Sequence, residues 1–284
     1  MKHKKLKIGR IPYANLFPIF HYLDTRCTGR RYHYVHGVPS KLNVLLRSGE
    51  LDVSPSSSIE FLMNRDEYRI LPWHSISSTG PIKSILLFSS VPIEELGGRT
   101  IAVTSDSATS VVLLKIILRE FLSIECPLTP TGLRSVRNIL ASFPAVLHIG
   151  DTAMLEAKKV FTDDKCAGKG KRASTVRNPR LFVYDLGELW HTYTGLPFVY
   201  ALWVVREKSL HEKTDLIKEL SLDLINAKKH AHRKLSVIAK EAPQKKWLGE
   251  KDLVRYWKSI SYDFTGQHLE GLQLFEKYAL KIRQ

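Results

Sequence analysis

Pro197-Phe-Val-Tyr-Ala-Leu-Trp-Val-Val205 is the segment that decides how this 284-residue chain is organised. It is a continuous apolar run rich in β-branched and aromatic residues, which is typical of a buried strand. Because it follows a second set of strands and helices, we expect it to return the chain to the first set. This predicts an α/β fold of two lobes, one built from residues 1–88 and 200–284 and the other, 89–199, inserted between them.

Strands and helices alternate in the first unit, which favours a parallel sheet with helices on both faces. Ser40 is the expected N-cap of one helix, and Gly49 lies just past its end. Ser57 and Glu60 have the spacing of a capping box, a hydroxyl followed three residues later by a carboxylate. The predicted elements are a strand at 6–11, a helix at 15–24, a strand at 31–36, a helix at 39–48, a strand at 51–53 and a helix that begins near 57.

The second unit repeats this design, because each strand is followed by a polar turn and then by a helix. Ser107 to Ser110 should open one helix, and Asp151 should cap another. The glycine-rich and basic stretch 163–180 is predicted to be a loop. The remaining predicted elements are strands at 99–104, 145–149, 181–185 and 197–205, and helices at 111–121, 152–159, 216–238, 244–260 and 266–282.

A net charge of +15 makes nucleic acid, anionic membranes and small acidic molecules the partners to weigh. The basic residues are spread along the chain without a nucleic-acid-binding motif, so we expect no nucleic-acid partner. We expect no membrane partner either, because no segment approaches the roughly 20 apolar residues of a membrane span. The basic start lacks the apolar run of an export signal, which favours the cytoplasm. A solvated basic surface that also attracts a small dianion fits the charge best.

Polar turns at the ends of the predicted strands are the candidate binding sites. Helix N-termini there offer unpaired N–H groups and partial positive charge to anions. Simple helix capping is the alternative at each turn, but their presence on both lobes favours a cleft that binds carboxylates. Ser84 could point either into this cleft or into the sheet. The turns are Tyr13-Ala-Asn15, Ser56-Ser57-Ser58, Ser105-Asp-Ser-Ala-Thr-Ser110 and Gly150-Asp151-Thr152.

Other chemistries lack their defining patterns. The sequence contains no nucleophile elbow, no P-loop and no dinucleotide-binding glycine motif. The histidine pairs lack carboxylate or cysteine companions, so no metal or other cofactor is expected. His148 is either an acid–base group beside Gly150 or a buried, hydrogen-bonded core residue.

In their order and spacing, several short motifs resemble the chorismate dehydratases of the menaquinone (futalosine) pathway. The resemblance covers roughly residues 6–282 and implies a fold like that of type II periplasmic binding proteins, with a ligand cleft between the lobes. His148 departs from it, since an aliphatic residue is expected there. The motifs include Ile8-Gly9-Arg-Ile-Pro-Tyr13-Ala-Asn15, Ser48-Gly49-Glu-Leu-Asp52, Gly80-Pro-Ile-Lys-Ser84, Ser107-Ala-Thr109-Ser110, Ile149-Gly150-Asp151 and Thr194-Gly195-Leu-Pro197-Phe198.

The resemblance implies loss of water from chorismate to give 3-[(1-carboxyvinyl)oxy]benzoate. It further implies that the substrate's own enolpyruvyl carboxylate takes the ring proton, while the protein supplies orientation and charge stabilisation. Asn15 and Ser84 would orient the leaving hydroxyl and the enolpyruvyl group. The residues expected to bind the substrate are Ser57, Ser58, Ser107, Thr109, Ser110, Gly150 and Asp151.

Two alternatives stay open. The first is the sibling enzyme 1,4-dihydroxy-6-naphthoate synthase, which has the same fold. The sibling typically begins with a Ser-Pro-Cys-Pro-Asn-Asp run, where this chain has Ile11-Pro-Tyr-Ala-Asn15, and its catalytic histidine is replaced here by Gly150. The second alternative is a protein that binds a small carboxylate without catalysis.

Overall fold

The computed structural model of the chain describes residues 5–105, 107–167 and 181–282, with backbone only for 162–167. The strands are β1 (Leu6–Arg10), β2 (Tyr32–His36), β3 (Val53–Ser57), β4 (Tyr68–Ser78), β5 (Ile85–Ser89), β6 (Ile101–Thr104), β7 (Leu128–Thr131), β8 (Ala145–Ile149), β9 (Phe182–Asp185) and β10 (Phe198–Arg206). The helices are α1 (Phe17–Arg26), α2 (Pro39–Ser48), α3 (Ser58–Met63), α4 (Ala108–Ile116), α5 (Val136–Leu140), α6 (Gly150–Ala167), α7 (Leu186–Thr194), α8 (Glu207–Glu212), α9 (Thr214–Ala239), α10 (Glu250–Trp257) and α11 (Gly266–Lys281). Three 3₁₀ turns (Ala14–Leu16, Ile93–Leu96, Pro243–Lys246) and one π-helical turn (Ile117–Phe121) complete the described elements.

Two five-stranded sheets form the two lobes and share one design. Their strand orders are β2-β1-β3-β10-β4 and β7-β6-β8-β5-β9. In each sheet the first three strands are parallel, and the fourth is antiparallel to its neighbours. That fourth strand, β10 or β5, enters directly from the other lobe. The chain therefore crosses between the lobes twice, before β5 and before β10.

Sheet membership moves the predicted lobe boundaries by a few residues. Strand β5 pairs with β8 and β9, so residues 85–88 lie in the second sheet and not with the first 84 residues. Strand β10 begins at Phe198 and pairs with Ser78 there, so residues 198 and 199 already belong to the first sheet. Each lobe boundary follows the hydrogen bonding of the crossing strand, which the sequence pattern does not show.

Strand β10 is buried because it has neighbours on both edges and helices packed against it. Trp203 and Phe198 are 2% and 1% exposed. Helix α11 lies directly against the start of the strand, since a Cβ atom built on Gly271 would stand 2.1 Å from the carbonyl oxygen of Pro197. Only glycine fits this approach.

Several local predictions agree with the structure and others do not. Helix α2 spans Pro39–Ser48, and Gly49 ends it with a left-handed φ of 82°, but the N-cap is Val38 and not Ser40. The capping box at Ser57 is not formed. Glu60 is buried, and its carboxylate instead accepts hydrogen bonds from Arg47 and Tyr68.

Three further differences lie in the first sheet, in helix α6 and in the C-terminal region. The sequence pattern missed strand β4, because its Leu-Pro-Trp-His segment interrupts the alternation and forms an irregularity against β10. Helix α6 continues to Ala167, so residues 163–167 of the predicted loop are helical, and the rest of that prediction, residues 168–180, lies outside the described part of the chain. The region predicted as one helix at 244–260 is a 3₁₀ turn followed by the separate helix α10.

Within the described residues, no helix has both the length and the apolar character needed to span a membrane.

Asp52 joins three parts of the first lobe and gives a test of this packing. Its carboxylate is 6% exposed and accepts from the backbone N–H of Lys7 (2.7 Å), the Ser209 hydroxyl (2.8 Å) and the Lys213 ammonium (2.6 Å). Removing one partner of a buried ion pair leaves the other charge uncompensated. We expect Asp52→Ala to lower the free energy of unfolding by about 3 kcal/mol, measured by urea denaturation. Asp66→Ala, in an exposed turn, is the control and should change it by less than about 0.5 kcal/mol. Equal values for the two variants would contradict this assignment.

Candidate functional site

A cavity of about 80 Å³ lies between the two lobes. Six of the residues predicted from the sequence line it together, namely Asn15, Ser57, Ser84, Ser107, Ser110 and Gly150. The other lining residues are Ile11, Tyr13, Pro39, Pro55, Ile76, Ile82, Ile85, Ile149, Tyr200 and Ala201. The turns that the sequence distributes over more than 130 positions therefore meet at one place, because both sheets present their polar turns to the space between them.

Asn15 and Ser57 are half-buried at this cavity, and each has one side-chain oxygen that is buried and unpaired. Asn15 Oδ1 and Ser57 Oγ have no partner among the described residues. A buried polar atom left unpaired costs roughly 1–3 kcal/mol, so such atoms in a cavity indicate hydrogen bonds that a ligand would make. The Asn15 backbone is fixed, since Trp257 Nε1 donates to the Ala14 carbonyl (2.8 Å) and the Tyr262 hydroxyl donates to the Asn15 carbonyl (2.5 Å).

Ser84 is held from behind, and its hydroxyl hydrogen remains available. The Tyr256 hydroxyl donates to Ser84 Oγ (3.0 Å), and the Gly150 N–H donates to the Ser84 carbonyl (2.7 Å). Burial raises the pKa of Tyr256 well above its usual range, so Tyr256 stays a donor. Since Tyr256 uses its hydroxyl hydrogen in this bond, Ser84 must direct its own elsewhere, and the cavity lies beside it. Ser84 lines the cavity, which fits the cleft orientation of the two that the sequence left open.

The loop before Ser84 is anchored by Asp185, which sequence reasoning did not single out. Its carboxylate accepts from the N–H groups of Ile82 (3.1 Å) and Lys83 (2.5 Å), and it also caps helix α7. Lys83 has a positive φ of 65°, which these two bonds hold in place. Burial raises the pKa of Asp185, and the backbone donors oppose that rise.

Two helices begin at the cavity, α4 at Ser107 and α6 at Gly150. Ser107 is the N-cap of α4 and accepts from the Ser110 N–H, so a helix opens at the run from Ser107 to Ser110, as the sequence predicted. Gly150 has a φ of 58°, and a Cβ atom on it would stand 3.4 Å from the Tyr13 ring. Among the described lining residues there is no Asp, Glu, His, Lys or Arg. The helix starts are therefore the groups in the described lining that carry partial positive charge.

Three predicted binding residues have other partners and do not line the cavity. Ser58 Oγ donates to the Val199 carbonyl inside the first lobe. Thr109 Oγ1 accepts the Ile59 N–H at 3.0 Å, which joins the second lobe to the first. Asp151 is not a helix cap, because its carboxylate accepts from the Ala14 N–H (2.9 Å) and from Gln244 (3.4 Å) in the first lobe. Thr109 and Asp151 therefore hold the lobes together instead of facing the cleft.

His148 is also absent from the cavity lining. It is 3% exposed on β8, and its ring packs edge-on to Phe88. Burial lowers the pKa of His148, so the ring is neutral near pH 7. The next residues along the strand, Ile149 and Gly150, are the ones that line the cavity, and the core interpretation of His148 fits this position.

Tyr13 and Tyr200 are the lining residues with polar groups that sequence reasoning did not select. Tyr13 stood within a quoted turn and could have been chosen. Tyr200 lies within an apolar strand and gave no signal. The Tyr200 hydroxyl bonds Ser78 at 2.9 Å, and a Cβ atom on Gly187 would stand 2.2 Å from it. No group of three or more His, Cys, Asp or Glu side chains is arranged to hold a metal ion in the part of the chain that the structure describes.

Comparisons with known proteins give the following similarities. A sequence model of a menaquinone biosynthesis family matches residues 6–281. The chorismate dehydratase of Thermus thermophilus is 33% identical over 207 residues, which are 71% of this chain and 70% of that protein.

Solved structures share the fold at low sequence identity. Protein AF1704 of Archaeoglobus fulgidus has a TM-score of 0.76 at 17% identity, covering 100% of this chain and 99% of its own. The periplasmic aliphatic sulphonate-binding protein SsuA of Escherichia coli has a TM-score of 0.65 at 11% identity. The match covers 98% of this chain and 87% of that protein's chain. The SsuA protein of Xanthomonas axonopodis bound to MOPS has a TM-score of 0.65 at 16% identity. The match covers 98% of this chain and 93% of that protein's chain. The expected periplasmic-binding-protein-like fold of two lobes is thus confirmed.

The bond between Asp151 and the first lobe predicts a pH dependence. Burial raises the pKa of Asp151, so the folded protein binds this proton more tightly than the unfolded chain. The resulting stability is present below the unfolded pKa of about 4 and is lost as the pH rises through the folded value. The asparagine of the Asp151→Asn variant stays neutral at every pH, so the variant should not lose this stability as the pH rises. We expect the free energy of unfolding of the variant, minus that of the unsubstituted protein, to increase from about pH 3.5 to pH 7 in urea denaturation.

Asp66→Asn, at an exposed position, serves as the control for this series and should show a flat difference. The test uses the slope of this free-energy difference against pH. A hydrogen bond lost in the variant would shift the difference equally at every pH and would leave the slope unchanged. A difference that is constant or falls with pH would contradict the assignment.

Proposed function

The chain belongs to the menaquinone biosynthesis family, and on that basis we propose that it is a chorismate dehydratase, an enzyme that removes water from chorismate to give 3-[(1-carboxyvinyl)oxy]benzoate. One observation carries the proposal within the structure. The inter-lobe cavity combines unpaired buried polar atoms of Asn15 and Ser57 with two helix starts, and its described lining has no ionisable acid or base besides tyrosine.

The cavity suits a ring that carries two carboxylates. Its apolar wall includes Ile11, Ile76, Ile82, Ile85 and Ile149, which can pack against a carbocycle. The start of α4 offers N–H groups and a partial positive charge to a carboxylate. Ser107 and Ser110 lie there, with their hydroxyl oxygens 3.0 Å apart, and can hold that carboxylate as the sequence predicted.

The reaction breaks two bonds of the substrate and needs no external redox partner. The C–H bond at the ring carbon bearing the enol ether breaks, and its proton passes to the substrate's enolpyruvyl carboxylate. The neighbouring C–O bond breaks, and the departing hydroxide takes up a proton to leave as water. An aromatic ring results, which supplies much of the driving force. The described lining of the cavity has no charged side chain, and this favours the route because burial raises the basicity of a carboxylate.

Asn15 and Ser84 are the residues we propose to orient the reacting groups. Asn15 Oδ1 can accept the hydrogen of the ring hydroxyl, and its amide N–H can stabilise the departing oxygen. Ser84 can donate to the enolpyruvyl group, because Tyr256 already satisfies one lone pair of its oxygen. These donors are positioned before the substrate binds, so little reorganisation is needed in the transition state.

The lobes must separate for the substrate to reach this cavity. Its volume of about 80 Å³ is below the roughly 300–1000 Å³ of common small-molecule sites. The contacts that open would include the Thr109–Ile59 and Asp151–Ala14 hydrogen bonds between the lobes. Closure around the substrate would then complete a site whose groups come from both lobes.

The naphthoate synthase alternative is disfavoured by the surroundings of Gly150. The sibling enzyme is expected to have a histidine at this position. Here the residue has a left-handed φ of 58°, a conformation in which any other side chain would strain the backbone. A location in the cytoplasm and the absence of nucleic-acid and membrane partners remain predictions from the sequence.

Mass spectrometry of purified protein mixed with chorismate tests the reaction. We expect a product lighter than chorismate by one water. Tight binding of chorismate without its conversion would support the binding-protein alternative. Neither conversion nor binding would leave the naphthoate synthase as the stronger alternative.

Substitution of Asn15 tests its role in that reaction. We expect Asn15→Ala to lower kcat by about 100-fold, because an oriented hydrogen bond to the departing group is lost. Asn138→Ala removes an exposed asparagine side chain and should leave kcat unchanged. Full turnover by Asn15→Ala, measured by the rate of product formation, would remove Asn15 from the mechanism.

A further inference from the structure

A second concave site lies in the first lobe, behind the turn that carries Asn15. It is a groove of about 850 Å³ between α9, α10, Trp73 and the segment after α10. Among the described residues, none lines both this groove and the inter-lobe cavity. We call it the tryptophan groove, and the residues that matter in it are Trp73, Lys229, Arg233, Trp257, Lys258 and Tyr262.

The tryptophan groove carries an excess of positive charge. Lys229, Arg233 and Lys258 line it and are exposed. None of these three forms an ion pair with a carboxylate among the described residues. Asp263 is the only acidic residue of the described lining, and Lys228 neutralises it at 2.7 Å. The groove therefore presents three uncompensated cations to a ligand.

Trp73 is held in a costly conformation beside these cations. It is 64% exposed and has a left-handed φ of 72°, which is rare for a bulky side chain. Lys228 fixes this geometry, because its ammonium donates both to the Trp73 carbonyl (2.5 Å) and to Asp263. Strained backbone that the surroundings maintain is found preferentially at functional sites. The result is a large aromatic surface presented at a cationic groove.

We propose that the tryptophan groove binds a small aromatic molecule that carries two carboxylates. An aromatic ring can stack on the indole of Trp73, and the carboxylates can pair with Arg233 and the two lysines. A volume of about 850 Å³ falls within the range of small-molecule sites, about 300–1000 Å³. The concave shape favours such a ligand over a flat membrane surface.

Two groove residues also hold the turn of the candidate active site. Trp257 Nε1 donates to the Ala14 carbonyl, and the Tyr262 hydroxyl donates to the Asn15 carbonyl. Trp257 is 2% exposed and lies beneath the groove, so a ligand would act on the turn through the half-buried Tyr262 and thereby shift Asn15. The product proposed above is itself an aromatic dicarboxylate, so its binding in the groove would inhibit the enzyme without competing with chorismate. This consequence rests on the proposed function, whereas binding in the groove does not.

Titration calorimetry with isophthalate, benzene-1,3-dicarboxylate, tests the binding. We expect binding to the unsubstituted protein that Trp73→Ala and Arg233→Gln each weaken by at least about tenfold. Lys218→Gln, which removes an exposed charge from the same helix outside the groove, should bind as the unsubstituted protein does. Cyclohexane-1,3-dicarboxylate, with equal charge and no aromatic ring, should bind about threefold to tenfold more weakly. Absence of isophthalate binding at millimolar concentration, or equal binding by all variants, would overturn the proposal.

Enzyme kinetics separate the groove from the inter-lobe cavity. Isophthalate should lower kcat for chorismate without a matching rise in KM, and Arg233→Gln should abolish this inhibition while its kcat in the absence of isophthalate stays unchanged. Competitive inhibition that persists in Arg233→Gln would place isophthalate in the inter-lobe cavity and overturn the groove assignment. Dehydration itself is measured without isophthalate, so a failure of this proposal is distinguishable from a failure of the proposed activity.

Discussion

The pairing of β10 between β3 and β4 is the interaction on which the rest of the structure depends. Both edges of this strand are hydrogen-bonded within the first sheet, yet the chain reaches it directly from the second lobe. Strand β5 makes the reciprocal crossing. The two crossings lie side by side, because Phe198 at the start of β10 pairs with Ser78 at the end of β4. The turns at the ends of the strands are therefore held face to face.

The electrostatics of the molecule are divided between its surface and its cavity. The net charge is +15, yet the described lining of the inter-lobe cavity contains no charged side chain. Charge on the outside can attract an acidic ligand over a distance. Inside the cavity the ligand would meet helix starts and hydroxyl groups, which stabilise a carboxylate without neutralising it by a salt bridge. A substrate carboxylate would thus keep the basicity that the proposed reaction uses.

Asn15 illustrates how a short turn obtains its rigidity from distant parts of the chain. Its 3₁₀ turn makes no side-chain cap of its own. Instead it is bonded by Trp257 and Tyr262 from the C-terminal region and by Asp151 from the second lobe. Two of these partners are themselves part of the tryptophan groove. The same hydrogen bonds therefore fix the candidate active site and connect it to the surface.

Local periodicity and turn chemistry in the sequence determined most of the elements, such as helix α2 with Gly49 at its end, strand β8 and the helix that opens at Ser107 to Ser110. They also determined the crossing strand β10 and the set of polar turns. Tertiary structure alone decided which hydroxyl and carboxyl groups face the cavity. Thr109 and Asp151 are of residue types that commonly cap helices, yet their side chains accept hydrogen bonds from backbone N–H groups of the other lobe. A capping residue and a lobe-joining residue look identical in sequence, because the difference lies in a donor more than 45 residues away that only folding brings within reach.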